Sequence, residues 1–231
     1  MKNTLINKAV IQKIAGALGE LNERVVYVGG AVVSLYVNDL AAGDVRPTKD
    51  IDISVDIATV AELENIRLEL VKKGFTQTAD DDVMCRFRYH DIAVDVMGTT
   101  AVGWAPANPW FAPGFHYAER IIVEEASIRI LSLPYFLAAK FSAYHDRGNN
   151  DPRTSHDIED IIYILDNRMD LVEQIEQSHG EVKIFLKEQF KQMLKNDLFQ
   201  EAIRANLFYE TQTERFQMVR EKLQHITNTA L

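Results

Sequence analysis

The chain opens on a helical spacing. Between residues 4 and 19, Ile6, Val10, Ile14 and Leu18 recur along one stripe while Lys8, Gln12 and Lys13 fall elsewhere, and Thr4 stands where a helix cap is wanted. After Arg24 comes VVYV, a short β-branched run that stops at Gly29 and Gly30, and AVVSLYV then begins a second apolar stretch of helix length. The order predicted is strand, glycine turn, helix. In DIDISVDI, residues 50–57, the period drops to two: Ile51, Ile53 and Val55 share one face and Asp50, Asp52 and Ser54 the other, which describes a half-buried strand. Helical spacing returns through Val60, Leu63, Ile66 and Leu70 and stops at Gly74.

Residues 83–97 alternate twice about His90-Asp91, with Cys85, Phe87 and Tyr89 before the turn and Ile92, Val94 and Val96 after it, the pattern of a hairpin. From Thr99 to Tyr117, three prolines (Pro106, Pro109, Pro113) and two glycines (Gly103, Gly114) alternate with Trp104, Trp110 and Phe111. That stretch is too broken for regular structure and too apolar for a free linker, so it reads as a packed functional loop. One or two short strands near 119–131 precede Ser132, a cap for a helix entered through Pro134. Helix formers dominate from there to the end. The shift in composition places a boundary near residue 125, dividing an α/β domain (1–125) from a helical C-terminal domain (126–231).

Composition narrows the function. With 47% hydrophobic and 26% charged residues, the chain is of ordinary globular make-up, and its 231 residues suit one elaborate domain or two small ones. The 34 acidic against 25 basic residues, a net charge of −9, argue against a sequence-independent grip on nucleic acid over a broad face and leave room only for a local basic groove. A single cysteine, Cys85, forms neither an internal disulfide nor a multi-thiolate zinc site, so a reducing cytoplasm is expected and any metal must be held by oxygen or nitrogen. No apolar run of membrane-spanning length occurs, so neither membrane insertion nor secretion is expected. His90, His116, His145, His156, His179 and His225 lack paired zinc spacing, and neither Ser34 nor Ser54 sits in a Gly-x-Ser-x-Gly elbow. The glycines form neither a P-loop nor a dinucleotide fingerprint.

The remaining chemistry lies in carboxylates. Asp50 and Asp52, two apart on a strand, project from one face and repel unless neutralised, and a divalent cation with hard oxygen ligands is the simplest compensation. Asp95 interrupts IAVDVM, where a buried strand otherwise wants an apolar residue. Were the two strands neighbours, three carboxylates would converge, enough to hold one Mg²⁺, or two sharing ligands, with positions left for phosphates and an attacking hydroxyl. The pair alone is more often a solvated strand edge. Gly29-Gly30, ending a strand and starting a helix, offers backbone N–H groups to a phosphate, although a glycine pair by itself is ordinarily a tight turn.

Taken together, VGGAVVSLYV, RPTKDIDI and IAVDVM resemble the fingerprint of the nucleotidyltransferase superfamily: a Gly-Gly turn, an acidic h-D-x-D-h strand and a third Asp in a later strand. The arrangement of Arg46, Thr48, Asp50 and Asp52 is most similar to the AbiEii/AbiGii-type nucleotidyltransferases, many known as toxins of toxin-antitoxin or phage-defence pairs. The resemblance continues through Ala138, Ala139, Lys140 and Arg147 to the run His156 to Asp160, which is similar to the family's Ala-x-Lys helix, following Arg and D-h-x-D helix. Ala31 stands where the superfamily usually has Ser or Thr, and NDLAAGDV and GNNDPRTS look inserted. The helices beyond residue 170 match no named part of the family.

The resemblance implies an α/β (α+β) fold, a mixed β-sheet with flanking helices followed by a C-terminal helical domain. It further implies Mg²⁺- or Mn²⁺-dependent transfer of NMP from an NTP to a hydroxyl, with pyrophosphate leaving. Asp50 and Asp52 would ligate the metal, Asp95 would serve as metal ligand or general base, and Gly29, Gly30, Lys140 and Asp157 would contact the nucleotide, with Asp157 and Asp160 orienting Lys140 or meeting the nucleotide, Asp157 the favoured of the two, and Arg46 pairing with a carboxylate or phosphate. The acceptor implied is a tRNA 3′ end, with a protein or aminoglycoside-like hydroxyl as runner-up, and a cognate antitoxin is the implied partner. A non-catalytic scaffold with a binding or regulatory role is the competing class, and the intact aspartates weigh against it.

Overall fold

Runs of β-branched residues form the strands of a six-stranded mixed sheet, and the helices pack where the period is near 3.6. The computed structural model describes residues 2–78, 81, 83–147 and 151–228. Its strands are β1 (Val25–Val28), β2 (Asp50–Val55), β3 (Arg86–Tyr89), β4 (Ile92–Gly98), β5 (Glu119–Val123) and β6 (Ala126–Ile130). They are ordered β3-β4-β2-β1-β6-β5. β2 runs antiparallel to β1 and parallel to β4, while β6 joins β1 in parallel and returns to β5 as a hairpin. The sheet and its first helices, α1 (Lys2–Leu18), α2 (Val60–Lys72) and the one-turn α3 (Phe111–Phe115), make up one compact unit, residues 1–34 with 43–132.

Local chemistry accounts for the element ends. Thr59 and Glu62 form a reciprocal capping box at the start of α2, and Gly74, at φ +89°, follows its end. α1 is capped from a distance: the Asp44 carboxylate accepts from the backbone N–H groups of Asn3 and Thr4 and from the Thr4 hydroxyl. Partial burial raises the Asp44 carboxyl, but these three donors outweigh it and bring it down to about 2. Thr4 is therefore a capped residue rather than the cap. The buried stripe of α1 is Thr4, Asn7, Ile11, Ile14, Ala15 and Leu18, with Ile6 48% exposed, so the helix is turned from the orientation expected of the Ile6–Val10 stripe.

Two further expectations change. The stretch after Gly29 is a 3₁₀ helix, Gly30–Tyr36, rather than an α-helix. Within the proline-rich stretch a short helix does form, because Gly114 N–H reaches the Trp110 carbonyl and Phe111 N–H reaches that of Asn108. Trp104 there lies 5.6 Å from the Phe87 ring and donates its indole N–H to Glu64.

The second unit comprises residues 35–42 and 133–231. It is helical: α4 (Leu133–Asp146), α5 (His156–Asn167), α6 (Leu171–Glu176), α7 (Gly180–Lys195), α8 (Asp197–Ala205) and α9 (Gln212–Asn228). α4 is buried from Leu133 through Ser142 and packs on α5 and α7, with Phe141 edge-on to Phe190 at 5.7 Å. The early segment 35–42 is held in this unit by Tyr36 stacked on Phe136 at 4.2 Å and by the Asn38 and Asp39 N–H groups on the Asn167 carbonyl. Arg215 reaches Asp39 at 3.5 Å. The division between the units thus falls at Ser132–Leu133, not near residue 125, because residue 125 lies in the tight turn between β5 and β6 and both strands belong to the sheet. The inserted-looking GNNDPRTS lies partly outside the described residues. Among the described residues no helix is long and apolar enough to cross a membrane.

Candidate active site

β2 and β4 are parallel neighbours in a register that sets Asp52 beside Asp95 and Asp50 beside Ala93. Because side chains alternate, Asp50, Asp52 and Asp95 emerge on the same face of the sheet. The opposite face carries Ile51, Ile53, Val94 and Val96, each at most 1% exposed. Burial of that apolar face fixes the register, since a slip by one residue would drive three carboxylates into the core.

The hairpin partner of β4 brings a cation to this face. β3 pairs Arg86 with Asp95, and the guanidinium clasps the Asp95 carboxylate through Nε–Oδ1 and Nη2–Oδ2 contacts of 2.7 Å each. The same Nη2 donates to Asp50 Oδ2 at 3.0 Å. Hydrogen bonding to Asp95, with the charges of Asp95 and Asp50 added, holds the Arg86 guanidinium firmly protonated against the opposing effect of its burial. A guanidinium thus bridges Asp50 and Asp95 and offsets one of their two negative charges. Arg86 is the site residue that sequence reading passed over. Among the described residues no three His, Cys, Asp or Glu side chains are gathered as a ready metal-ligand group.

The Gly29-Gly30 turn closes the other side. Gly29 has φ +72°, and a side chain there would collide with the Asp52 carboxylate. At Gly30 a Cβ would fall 2.6 Å from Arg46 Nη2. The glycine pair is thus required by the close approach of Asp52 and Arg46. Thr48 adds its hydroxyl to Asp50 Oδ1 at 3.2 Å. Four residues of the RPTKDID stretch therefore meet one another or the glycine turn.

Cys85 reports the field of this face. Burial, followed by the negative charges of Asp95 and Asp52, pushes its thiol up to about 11, which makes it an inert core thiol rather than a nucleophile. All six histidines are exposed.

Lys140, Asp157 and Asp160 form a separate cluster inside the helical unit. Lys140, on α4, donates to Asp160 Oδ2 at 2.7 Å and to Asp157 Oδ1 at 3.2 Å, with all three side chains no more than 8% exposed. Arg147 Nη1 stands 2.9 Å from the other Asp157 oxygen as an ion pair. Ser155 caps α5 by accepting from the Ile158 N–H, so Asp157 is not the helix cap and is aimed at Lys140 and Arg147 instead.

Comparison with known proteins places these features in a family context. The family model described as nucleotidyl transferase AbiEii toxin, type IV TA system, matches residues 17–228. No curated protein matches the chain. Among solved structures, the fold is similar to that of an antigenic nucleotidyltransferase-like protein from Paracoccidioides brasiliensis, with a TM-score of 0.51 and 18% identity over 86% of this chain and 92% of that one.

Proposed function

Because the chain belongs to the AbiEii family of nucleotidyl transferase toxins, we propose that it transfers a nucleoside monophosphate from an NTP to a hydroxyl with Mg²⁺ or Mn²⁺, and that a tRNA end is the acceptor. The family's place in type IV toxin-antitoxin systems implies a cognate antitoxin as partner. The observation that carries the activity is the single sheet face on which Asp50, Asp52 and Asp95 emerge next to the Gly29-Gly30 turn.

The donor chemistry of that face fits a divalent cation: three hard carboxylates stand on adjacent strands, and a guanidinium already occupies a cation position between two of them. Asp50 and Asp52 would hold the metal, with Asp95 beside them. When bound, such a cation polarises the phosphoryl oxygens and offsets the charge of the leaving pyrophosphate. The protein's own part is positional. The acceptor oxygen must lie in line with the α-phosphorus; as the new O–P bond forms, the bond to the β-phosphate breaks and pyrophosphate departs. Asp95, once its carboxylate is released from Arg86, would take the hydroxyl proton. Thr48 steadies Asp50, and the absence of side chains at Gly29 and Gly30 lets the backbone come close to the phosphates. Lys140 and Asp157 keep their implied nucleotide role as part of this proposal.

The test supplies the protein with Mg²⁺ and each NTP labelled at the α-phosphate, together with RNA, protein and small-molecule fractions of a cell extract. Label entering RNA, and lost with Asp52→Asn in a protein of unchanged circular dichroism, is the expected result. Label in the protein or small-molecule fraction moves the acceptor to the runner-up class, and no transfer to any fraction with any NTP refutes the activity.

A further inference from the structure

Arg86 has more to do than fill a charge balance. Its guanidinium makes the bidentate contact with Asp95 while a nitrogen of the same fork reaches Asp50, so one planar cation spans carboxylates of two different strands. The side chain is 21% exposed, against 13% for Asp95 and 32% for Asp50, so the clasp is partly open to solvent. A cavity of about 560 Å³ is lined by Arg86 together with Glu64, Arg67, Asp81, Met84 and Trp104. Two of those residues are acidic. Glu64 is paired there with Arg67 and Asp81 with Arg88, so the cavity offers a released guanidinium space beside existing ion pairs.

We propose that Arg86 is a built-in competitor of the divalent cation: it occupies the cation position between Asp50 and Asp95 and must swing aside, into the cavity that it lines, for a metal to be held there. This inference rests on the metal-dependent reading above. The physical reason is charge. A dication and a guanidinium placed between the same carboxylates repel one another, and bidentate hydrogen bonds bind the oxygens that metal coordination would use. Apparent metal affinity is then the intrinsic affinity reduced by the fraction of molecules in which the clasp is open. The Arg86 clasp thus sets the metal concentration at which the enzyme becomes loaded, and arrival of a metal-carrying nucleotide is the event that opens it.

The experiment measures Mn²⁺ binding directly, from the electron paramagnetic resonance signal of free Mn²⁺ without nucleotide, for the wild-type chain, Arg86→Gln, Arg86→Lys and Asp52→Asn. Arg86→Gln should bind Mn²⁺ about tenfold tighter than wild type, the equivalent of about 1.4 kcal/mol. Arg86→Lys, which keeps a charge but cannot span both carboxylates, should fall between them, and it preserves the test if the glutamine variant fails to fold. Unchanged or weaker binding in both Arg86 variants, with wild-type binding that still disappears in Asp52→Asn, overturns this inference and leaves the proposed activity standing. Mn²⁺ binding by none of the proteins overturns the metal reading on which both depend.

Discussion

Replacing Lys140 with methionine removes a cation from a place where water cannot substitute for it. The methionine conserves most of the volume, so the loss is electrostatic rather than steric. Lys140 is 8% exposed, and the carboxylates that it holds at 2.7 and 3.2 Å are 3% and 2% exposed. Arg147 would remain on the outer oxygen of Asp157, but its side chain is 67% exposed and screened by solvent. Removing one member of a buried ion pair typically costs about 3–5 kcal/mol, because the remaining charge is left uncompensated. Adding Asp160→Asn in the Lys140→Met background should recover a substantial part of that destabilisation. Urea unfolding followed by far-ultraviolet circular dichroism measures both. A loss below about 1 kcal/mol, or no recovery from the second substitution, would refute the reasoning.

Two further outcomes follow from the sheet unit. Gly29→Ala meets both a positive φ and the Asp52 carboxylate, so it should lower the melting temperature by the equivalent of at least about 1 kcal/mol and abolish NMP transfer. Gly43→Ala, where a Cβ meets nothing within 4 Å, should do neither, and equal melting temperatures for the two variants would contradict the close-approach account. Asp44, with its folded carboxyl lowered from 3.8 to about 2, contributes stability that is full above the unfolded value and lost as pH falls through the folded one. Thermal melts should show Asp44→Asn less stable than wild type at pH 7, with the difference closing between pH 4 and pH 2. A pH-independent difference would show that the charge on this distant cap is immaterial.

How much of this was readable beforehand depends on whether the determining contacts are local. The alternation of β2 is dictated by its own sequence, because Ile51, Ile53 and Val55 need one buried face, and this alone places Asp50 and Asp52 together. Arg86 was equally available: a hairpin turning on His90-Asp91 pairs Tyr89 with Ile92 and, three rungs along, Arg86 with Asp95. The apolar face attracts attention in such a pattern, and the charged face went unread. α1 was misaligned for a different reason. Thr4 is held at the buried helix start by Asp44, forty residues away, and no periodicity encodes that approach. The boundary was likewise set by distance in sequence, since β6 belongs to the sheet only through its parallel pairing with β1.

The excursion of residues 35–42 into the helical unit has a consequence for how such proteins can be inherited. Neither unit is an uninterrupted stretch of chain, so the two are not cassettes. A crossover at Ser132–Leu133 that exchanged the helices with those of a relative would leave Tyr36, Asn38 and Asp39 behind, facing a foreign Phe136, Asn167 and Arg215. Lineages that acquire new helices must therefore bring a matching octapeptide with them, and that short tract, lying between the glycine turn and the aspartate strand, should change in step with residues a hundred or more positions away.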